Sequence, residues 1–300
     1  MVATTGSAVN GILLLDKPQG ITSHDAVARM RRALGTKKVG HAGTLDPMAT
    51  GLLILGVGPA TRLLTHLVGL DKEYAATIRL GRATTTDDAE GEPIGPAPIG
   101  PPAVSDAEIA AGVRALTGTI LQRPSAVSAI KVGGVRAYQR VRAGEEVELA
   151  ERPVTIRAFD ITAIHRGDWI DLDVRVACSS GTYIRALARD LGEALGVGGH
   201  LTALRRTRVG PFAVSEARRV PERDEPFAGE PLEPAAVAAR LFPVLRLDED
   251  AAGDLRNGKR IAVDAPDAPT VAALAPDGRL VGLVAVTGGS ARVITNFPVT

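Results

Sequence analysis

The segment GHAGTLDPMATGLLILGV, residues 40–57, is the most distinctive stretch of this 300-residue chain. Its first twelve residues hold three glycines, one histidine, two threonines and a single acidic residue, Asp46, and an apolar run follows at once. This composition predicts a loop at the edge of a buried strand, where side chains are displayed rather than packed. Asp46 followed by Pro47 is also a favourable start for a helix. Local sequence favours that helix cap, although Gly51 and the strand-like continuation oppose it.

Regular elements can be predicted on both sides of this segment. Four segments are predicted strands: residues 11–17, 74–80, 154–164 and 169–177. Three helices are predicted, each begun by a capping residue: Thr22, Ser105 and Thr182. Strands with interspersed helices indicate an α+β domain built on a mixed, largely antiparallel sheet.

Two stretches interrupt this pattern. Residues 93–102 hold five prolines and two glycines, which predicts a loop that cannot pair in a sheet. Residues 214–247 are acidic and rich in proline and alanine, and we interpret them as a junction between domains. The expected division is a larger domain over residues 1–247 and a smaller one over residues 248–300, whose short apolar runs and Asp-Gly and Gly-Gly turns predict a β-rich fold.

Composition excludes several classes of protein. With 45% hydrophobic and 23% charged residues, the chain has the balance of a folded globular protein. Its longest apolar run, residues 52–57, is far shorter than the roughly 20 residues that span a bilayer. The first residues show no basic and apolar pattern of a secretory signal, so a cytoplasmic location is expected. The single cysteine, Cys178, excludes an internal disulfide and a multi-cysteine zinc site. Motifs for nucleotide or metal binding are lacking, so no cofactor and no metal are expected.

The net charge of +1 hides a segregation along the chain. Residues 1–82 carry ten basic against five acidic residues, and residues 119–158 carry seven against four. Residues 83–118 carry one against six, and residues 214–250 carry five against nine. A polyanion could be bound by the basic blocks while the acidic blocks keep the sum near zero. Random fluctuation of charge along a chain is the alternative.

Three groups of cations are candidates for function, each with an ordinary alternative. The predicted helix after Thr22 has a basic face that continues to Lys38, which suits either solvent or RNA phosphate. The sequence LRRTR, residues 204–208, suits phosphate contact or a solvated turn. Arg185 lies in the first turn of a predicted helix, where a cation opposes the helix dipole, so an aspartate from another loop would compensate it. A solvent-facing arginine is the alternative there.

Five separated motifs resemble the bacterial tRNA pseudouridine synthase B family, TruB, in family order over roughly residues 10–213. They are NGILLLDKPQGITSHDAV, VGHAGTLDPMATGLLILGVGPATRL, DKEYAATIRLG, the PSAVSAIK stretch from Pro124 with Tyr138, and CSSGTYIRALARDLGEALGVGGHLTALRRTRVGPF. The resemblance implies the pseudouridine synthase fold with a C-terminal PUA-like RNA-binding domain. It also implies isomerisation of uridine 55 in the T-loop of tRNA, without a cofactor and without an obligate protein partner.

The resemblance also implies roles for single residues. Asp46 matches the catalytic aspartate, and Arg185 matches the arginine that pairs with it. Tyr74 matches the tyrosine that stacks on the base, which is also a candidate for the catalytic removal of the C5 proton that finishes the reaction. Three further positions match substrate contacts: His41, Tyr183 and Leu204. Lys17 and the basic helix after it are candidates, from their charge alone, for contact with the RNA backbone.

Two other classes of function share parts of this pattern. A non-catalytic RNA-binding protein could use the same scaffold, but the intact set of Asp46, Tyr74 and Arg185 opposes it. A glycosidase-like hydrolase also acts at C1′ with a carboxylate, but such enzymes usually need two paired carboxylates, and residues 40–51 hold one. A guide-RNA partner, used by related synthases, has no basis in this sequence.

Overall fold

The structure is a computed structural model that describes residues 9–95, 100–125, 131–132, 135–136 and 149–298. The strands, numbered in chain order, are β1 (Gly11–Lys17), β2 (Val39–Ala42), β3 (Thr50–Val57), β4 (Lys72–Leu80), β5 (Ala83–Thr84), β6 (Pro93–Ile94), β7 (Gly118–Gln122), β8 (Lys131–Val132), β9 (Val135–Arg136), β10 (Arg152–Arg166), β11 (Ile170–Cys178), β12 (Gly199–Val209), β13 (Phe212–Ala213), β14 (Arg218–Arg219), β15 (Val244–Arg246), β16 (Ile261–Ala262), β17 (Ala268–Leu274), β18 (Leu280–Thr287) and β19 (Ser290–Asn296). The α-helices are α1 (Ser23–Ala33), α2 (Leu64–Val68), α3 (Asp106–Ala115), α4 (Ile184–Ala194), α5 (Pro234–Leu241) and α6 (Glu249–Arg256).

The described chain divides into two compact units. The terminal unit comprises residues 9–47, 51–68 and 211–298, and the central unit comprises residues 48–50 and the described residues between 69 and 210. None of the helices in the described ranges is long and apolar enough to cross a membrane.

The terminal unit contains two strands, β1 and β3, that are buried along almost their whole length. β1 runs antiparallel to β3, from Gly11 opposite Val57 to Lys17 opposite Gly51, and β2 also pairs with β3. Continuous apolar runs are typical of strands covered on both faces, and the predicted strand over residues 11–17 is confirmed. The other edge of β1 is bound by residues from far along the chain: β14 pairs with it in parallel, and Ile12 and Leu232 exchange backbone hydrogen bonds of 2.9 and 2.7 Å.

Helix α1 confirms the prediction from its capping box. The Thr22 hydroxyl accepts a hydrogen bond from the Asp25 backbone N–H at 3.0 Å, and the Asp25 carboxylate accepts one from the Thr22 N–H at 2.8 Å. The apolar stripe of α1 is buried at Ala26, Val27 and Met30. Its C-terminal neighbour Gly35 has a left-handed φ of 62°, the conformation that glycine adopts without strain.

The C-terminal part of the terminal unit is a five-stranded sheet in the order β15-β17-β18-β19-β16. Helix α6 covers it, and Leu255, Val271, Val284 and Ala291 are buried in their shared core. The predicted β-rich C-terminal domain is therefore confirmed. Its first strand begins at Val244, and the division at residue 247 stays a prediction.

The central unit is built on an antiparallel sheet in the order β12-β4-β11-β10-β7. The three strands predicted in this region are confirmed, and Tyr74, Ala76, Ile78 and Leu80 form the buried side of β4 as their alternation indicates. Helix α3 begins with the predicted Ser105–Glu108 capping box. The α+β class with a mixed, largely antiparallel sheet is confirmed.

Two local predictions for the central unit, and one of two open alternatives, are wrong. Pro93 and Ile94 do pair, with Thr84 and Ala83, because a two-residue strand at an edge can use carbonyl groups without needing the missing proline N–H. Residues 204–208 form part of β12 rather than a turn. Thr182 does not cap α4, because its hydroxyl donates to the Ser179 carbonyl at 2.9 Å and Tyr183 occupies the cap position.

Candidate active site

Asp46 lies in the terminal unit, in the loop between β2 and β3. No helix begins at Asp46: the chain makes a turn at Pro47 and Met48 and enters β3 at Thr50. The prediction of a helix cap is therefore wrong, and the prediction of a loop before a buried strand is confirmed. The residue is partly exposed, while its neighbour Leu45 is buried.

The backbone on both sides of Asp46 is bonded to the segment around the start of α1. The Ser23 hydroxyl accepts a hydrogen bond from the Leu45 N–H at 2.8 Å and donates one to the Leu45 carbonyl at 3.1 Å. The Gly20 N–H donates to the Pro47 carbonyl at 2.9 Å. These long-range bonds take the place of the helical hydrogen bonds that a cap at Asp46 would start.

Lys17 is fully buried, with 0% of its surface exposed. Its ammonium donates to the carbonyls of Pro18 and Ile21 at 2.8 Å each, and to that of Pro47 at 3.4 Å. This geometry argues against the predicted contact with the RNA backbone, since a buried ammonium with carbonyl partners is not available to a phosphate. Its observed contacts join β1 to the Asp46 loop.

His41 is on β2, and its ring lies edge-on to that of His24 on α1, with 5.4 Å between the ring centres. Both side chains belong to the terminal unit. His41 is partly exposed and His24 is exposed, so an aromatic edge faces outward beside the start of the Asp46 loop.

Tyr74 and Leu204 lie on the same buried face of the central sheet. Tyr74 on β4 is opposite Val176 on β11 and Arg206 on β12, and Leu204 is opposite Ala76, the next inward residue of β4. Tyr74 and Leu204 are each 8% exposed. The structure therefore places the predicted base-stacking residue and one predicted substrate contact on one face of the sheet, with the buried Arg206 opposite Tyr74.

Arg185 is buried at the start of α4, with 4% of its side chain exposed. Its guanidinium donates to the Thr86 carbonyl at 2.7 Å and lies 3.5 Å from the Asp88 carboxylate. Asp88 is itself buried and accepts hydrogen bonds from the Thr86 hydroxyl at 2.5 Å and the Glu90 N–H at 3.1 Å. An aspartate from another loop thus compensates this cation, as its position in the helix requires, and the alternative of a solvent-facing arginine is wrong.

Tyr183 is held through its backbone. Its N–H donates to the Gln122 side-chain carbonyl at 2.8 Å, and its own carbonyl accepts from the Gln122 amide at 3.1 Å. Gln122 is 2% exposed. This pair of hydrogen bonds fixes Tyr183, two residues before Arg185, to the end of β7.

Sequence reasoning missed Asp88, Gln122 and Lys72. Asp88 belongs to an acidic run that carries no motif, and Gln122 ends an ordinary strand. Lys72 is part of the DKEY motif, but its burial could not be foreseen from charge. Its ammonium donates to the Leu70 carbonyl at 2.6 Å and the Ser180 hydroxyl at 3.1 Å. Burial and the nearby Arg206 lower the pKa of Lys72 to about 8.

Tyr138 and most of the stretch from Pro124 lie outside the described residues: of that stretch the structure describes Pro124, Ser125 and Lys131, and the described chain becomes continuous again at Leu149. The described residues contain no group of three or more histidine, cysteine, aspartate or glutamate side chains that could hold a metal ion.

Solved structures share the fold of this chain. A chain in the structure titled "Structure of H/ACA RNP bound to a substrate RNA containing 2'-deoxyuridine" superposes with a TM-score of 0.68 at 23% identity, covering 99% of this chain and 92% of that one. A chain in the "Crystal Structure of a Cbf5-Nop10-Gar1 Complex" gives a TM-score of 0.68 at 25% identity, covering 96% of this chain and 85% of that one. At this level of identity the likeness supports the pseudouridine synthase fold.

Sequence comparison identifies the family. The model of the TruB family pseudouridylate synthase N-terminal domain matches residues 31–184, the tRNA pseudouridylate synthase B C-terminal domain matches residues 185–222, and the tRNA pseudouridine synthase II C-terminal domain matches residues 242–298. The tRNA pseudouridine synthase B of Leifsonia xyli subsp. xyli is 59% identical over 299 residues, covering 98% of each chain. That of Arthrobacter sp. (strain FB24) is 56% identical over 300 residues, covering 96% of this chain and 97% of the relative. The chain therefore belongs to the tRNA pseudouridine synthase B family, isomerases that convert uridine in tRNA to pseudouridine.

Proposed function

We propose that this enzyme isomerises uridine 55 in the T-loop of tRNA and that Asp46 is its catalytic carboxylate. The observation that carries the proposal is the Asp46 loop itself. It places a single acidic residue on a partly exposed loop whose flanking peptide groups are bonded to α1 and the turn before it. The loop belongs to a chain that covers nearly the full length of its pseudouridine synthase relatives.

The reaction needs little besides a carboxylate and a shaped site. The N1–C1′ bond of uridine breaks, the base turns, and C5 bonds to C1′ while the proton on C5 leaves and N1 is protonated. Atoms and charge balance without an oxidant or a leaving group, so the reaction needs neither a cofactor nor a metal. Three routes are open to the carboxylate: attack on C1′, attack on C6, or removal of a sugar proton.

All three routes require Asp46 to be ionised, and we assign that task to the positive charge of Arg185. The Thr86 carbonyl and Asp88 hold the Arg185 guanidinium in a fixed position. Fixing the charge in advance avoids reorganisation during the reaction.

A uridine in a folded T-loop must leave its stack before it can react, which costs a few kcal/mol. Stacking of the flipped base on an aromatic side chain offsets this cost by roughly 1 to 3 kcal/mol. In our proposal Tyr74 is that partner, Tyr183 and Leu204 line the pocket, and His41 contacts the flipped RNA. Tyr74 and Leu204 share the buried face of the central sheet, which supports their joint assignment.

The proposal extends to the organisation of the protein. We assign catalysis to residues 1–247 and RNA binding to the PUA-like residues 248–300. The T-arm of tRNA is the proposed partner, with no obligate protein partner and no guide RNA, and the proposed location is cytoplasmic. The five-stranded C-terminal sheet, matched by a family model over residues 242–298, supports a separate role for this region.

Replacing Asp46 by asparagine tests the proposal. Asp46→Asn removes the ionised oxygen but keeps the size of the side chain, so we expect tRNA binding within about twofold of the unmodified enzyme. Turnover should fall by at least about 10³-fold, on the scale of losing a catalytic group. Tritium release from C5-labelled uridine in a T-loop transcript measures this loss.

Asp168→Asn, the same substitution at an exposed aspartate in the turn between β10 and β11, is the matched control and should leave turnover unchanged. A transcript with cytidine in place of uridine 55 tests whether uridine 55 is the nucleotide that the enzyme modifies. Retained tritium release by Asp46→Asn would contradict the catalytic assignment, and pseudouridine formed in the substituted transcript would contradict the position.

A further inference from the structure

We infer that Ser23 is a positioning residue for Asp46, which fixes the carboxylate through the peptide groups of Leu45. This inference rests on the proposed function, because it assigns Ser23 a role in a reaction that Asp46 performs. Ser23 touches no reacting atom in this scheme. It acts on the chain directly before the carboxylate.

The bond between Ser23 and Leu45 has an unusual form. A single side-chain oxygen both accepts from the Leu45 N–H at 2.8 Å and donates to the Leu45 carbonyl at 3.1 Å. Ser23 and Leu45 are 0% and 3% exposed, so neither peptide group can exchange this partner for water. A buried donor or acceptor without a partner is costly. The hydroxyl therefore determines where the Leu45 peptide can sit.

Helix α1, which carries the Ser23 hydroxyl, is held in place by its packing. Ser23 is the first residue of α1, directly after the capping box formed by Thr22 and Asp25. The helix buries Ala26, Val27 and Met30 in the terminal unit. Because the helix cannot shift without losing that packing, its first residue is a fixed reference point for the loop.

A second set of bonds meets the loop on the other side of Asp46. The Pro47 carbonyl accepts from the Gly20 N–H at 2.9 Å and from the Lys17 ammonium at 3.4 Å. Asp46 is thus flanked on both sides by residues whose backbone groups are held. Losing the Ser23 bonds would release one of the two anchors.

The expected effect lies in the rate rather than in tRNA affinity. A displacement of about 1 Å at a reacting group can cost on the order of 10²-fold in rate, whereas tRNA is bound by many contacts that the Leu45 peptide does not make. For Ser23→Ala we expect the single-turnover rate on full-length tRNA to fall about tenfold to a hundredfold. The dissociation constant for tRNA should stay within about twofold.

The neighbouring hydroxyl provides a matched control. Thr22→Ala removes the cap of α1 and lowers helix stability, but the Thr22 hydroxyl and N–H are bonded to Asp25 and not to the loop. If Ser23 acts on Asp46, Thr22→Ala should react at nearly the normal rate even where its melting temperature falls as much as that of Ser23→Ala. Ser23→Thr, which keeps the hydroxyl, should recover most of the rate. Ser23→Cys, with a weaker hydrogen-bonding group of similar size, should fall between.

The outcomes separate this inference from the proposed function. A normal rate for Ser23→Ala, or equal rate losses for Ser23→Ala and Thr22→Ala, overturns the positioning role. An active Asp46→Asn variant overturns the proposed function instead. An inactive Asp46→Asn together with a slow Ser23→Ala, normal tRNA affinity and recovery by Ser23→Thr supports both.

Discussion

At the scale of single residues, the central sheet holds two buried cations, Lys72 on β4 and Arg206 on β12. They are 6% and 1% exposed, and Lys72 lies two residues before Tyr74 on the same side of its strand. Burial disfavours the charged form of a lysine, and a neighbouring cation disfavours it further. Together they lower the pKa of Lys72 from 10.5 to about 8. Cys178, opposite Lys72 on β11, has its thiol pKa raised by burial to about 11.

The lowered pKa of Lys72 predicts a stability that increases with pH. Between about 8 and 10.5, the folded protein has released a proton that the unfolded chain still binds, so the free energy of unfolding rises across this window. Relative to Lys72→Met, the gain should be on the order of 2 kcal/mol. Urea unfolding at several pH values between 7.5 and 10.5 measures it.

Cys178 would obscure this result, because its raised pKa makes stability fall with pH between 9.0 and about 11. Both proteins should therefore carry Cys178→Ala. A difference between them that does not change with pH would show that Lys72 is not held at a lowered pKa.

At the scale of elements, sequence predicted what depends on neighbours along the chain and missed what depends on distant partners. The capping boxes of α1 and α3 involve residues three positions apart, and both were predicted correctly. Asp46 followed by Pro47 has equally good local chemistry, yet bonds from Ser23 and Gly20 hold the loop in a non-helical conformation. The Arg185–Asp88 pair joins residues almost a hundred positions apart, and no local pattern could name Asp88.

Helix α1 also shows how the charge segregation is realised. The basic face predicted for solvent or phosphate is partly covered by the acidic stretch that follows β14. Arg29 pairs with Glu222 at 2.9 Å, and Arg32 lies 3.5 Å from Asp224. Both carboxylates are 71% exposed, so these pairs contribute little to stability.

Removing the two carboxylates should therefore strengthen RNA binding more than it weakens the fold. For the double variant Glu222→Gln/Asp224→Asn we expect tRNA to bind several-fold more tightly at low salt, because two arginines lose their internal partners. The gain should disappear as salt rises, and stability should change by less than about 1 kcal/mol. Filter binding over a salt series measures the affinity.

A double variant elsewhere gives the same change in net charge. Asp106→Asn/Asp160→Asn removes partners of Arg166 and Arg175 in the central unit, which are also exposed pairs. Equal tightening by both double variants would mean that net charge, and not the face of α1, governs binding.

At the scale of the whole molecule, a net charge of +1 gives a poor account of an enzyme that acts on tRNA. The segregation of charge was visible in the sequence. The number of cations that are bonded to carbonyl and carboxylate groups of the protein itself was not. Lys17 is bonded to three carbonyls, Arg31 donates to the Val39 carbonyl at 2.8 Å, and Arg29 binds Glu222. The fold and the family were predicted because five motifs occur in order, whereas these contacts depend on tertiary structure.

We expect tRNA affinity to depend steeply on salt in spite of the near-neutral sum. Binding that neutralises several phosphates gives a plot of log Kd against log salt with a slope of roughly 3 or more in magnitude. Fluorescence anisotropy with labelled tRNA, at salt concentrations from about 50 to about 400 mM KCl, measures the slope. A slope below about 1 would indicate that the basic blocks do not contact RNA.

The pairing of β1 with residues near the other end of the chain sets an order of events during synthesis. β3 follows β1 closely, but β14 and Leu232 complete the second edge of β1 only after about 200 more residues have been made, roughly 10 to 40 seconds at about 5–20 residues per second. The central unit is nearly continuous in sequence and can form within that interval. On the ribosome, the strand that carries Lys17 therefore has one unpaired edge during the interval in which the middle of the protein can fold.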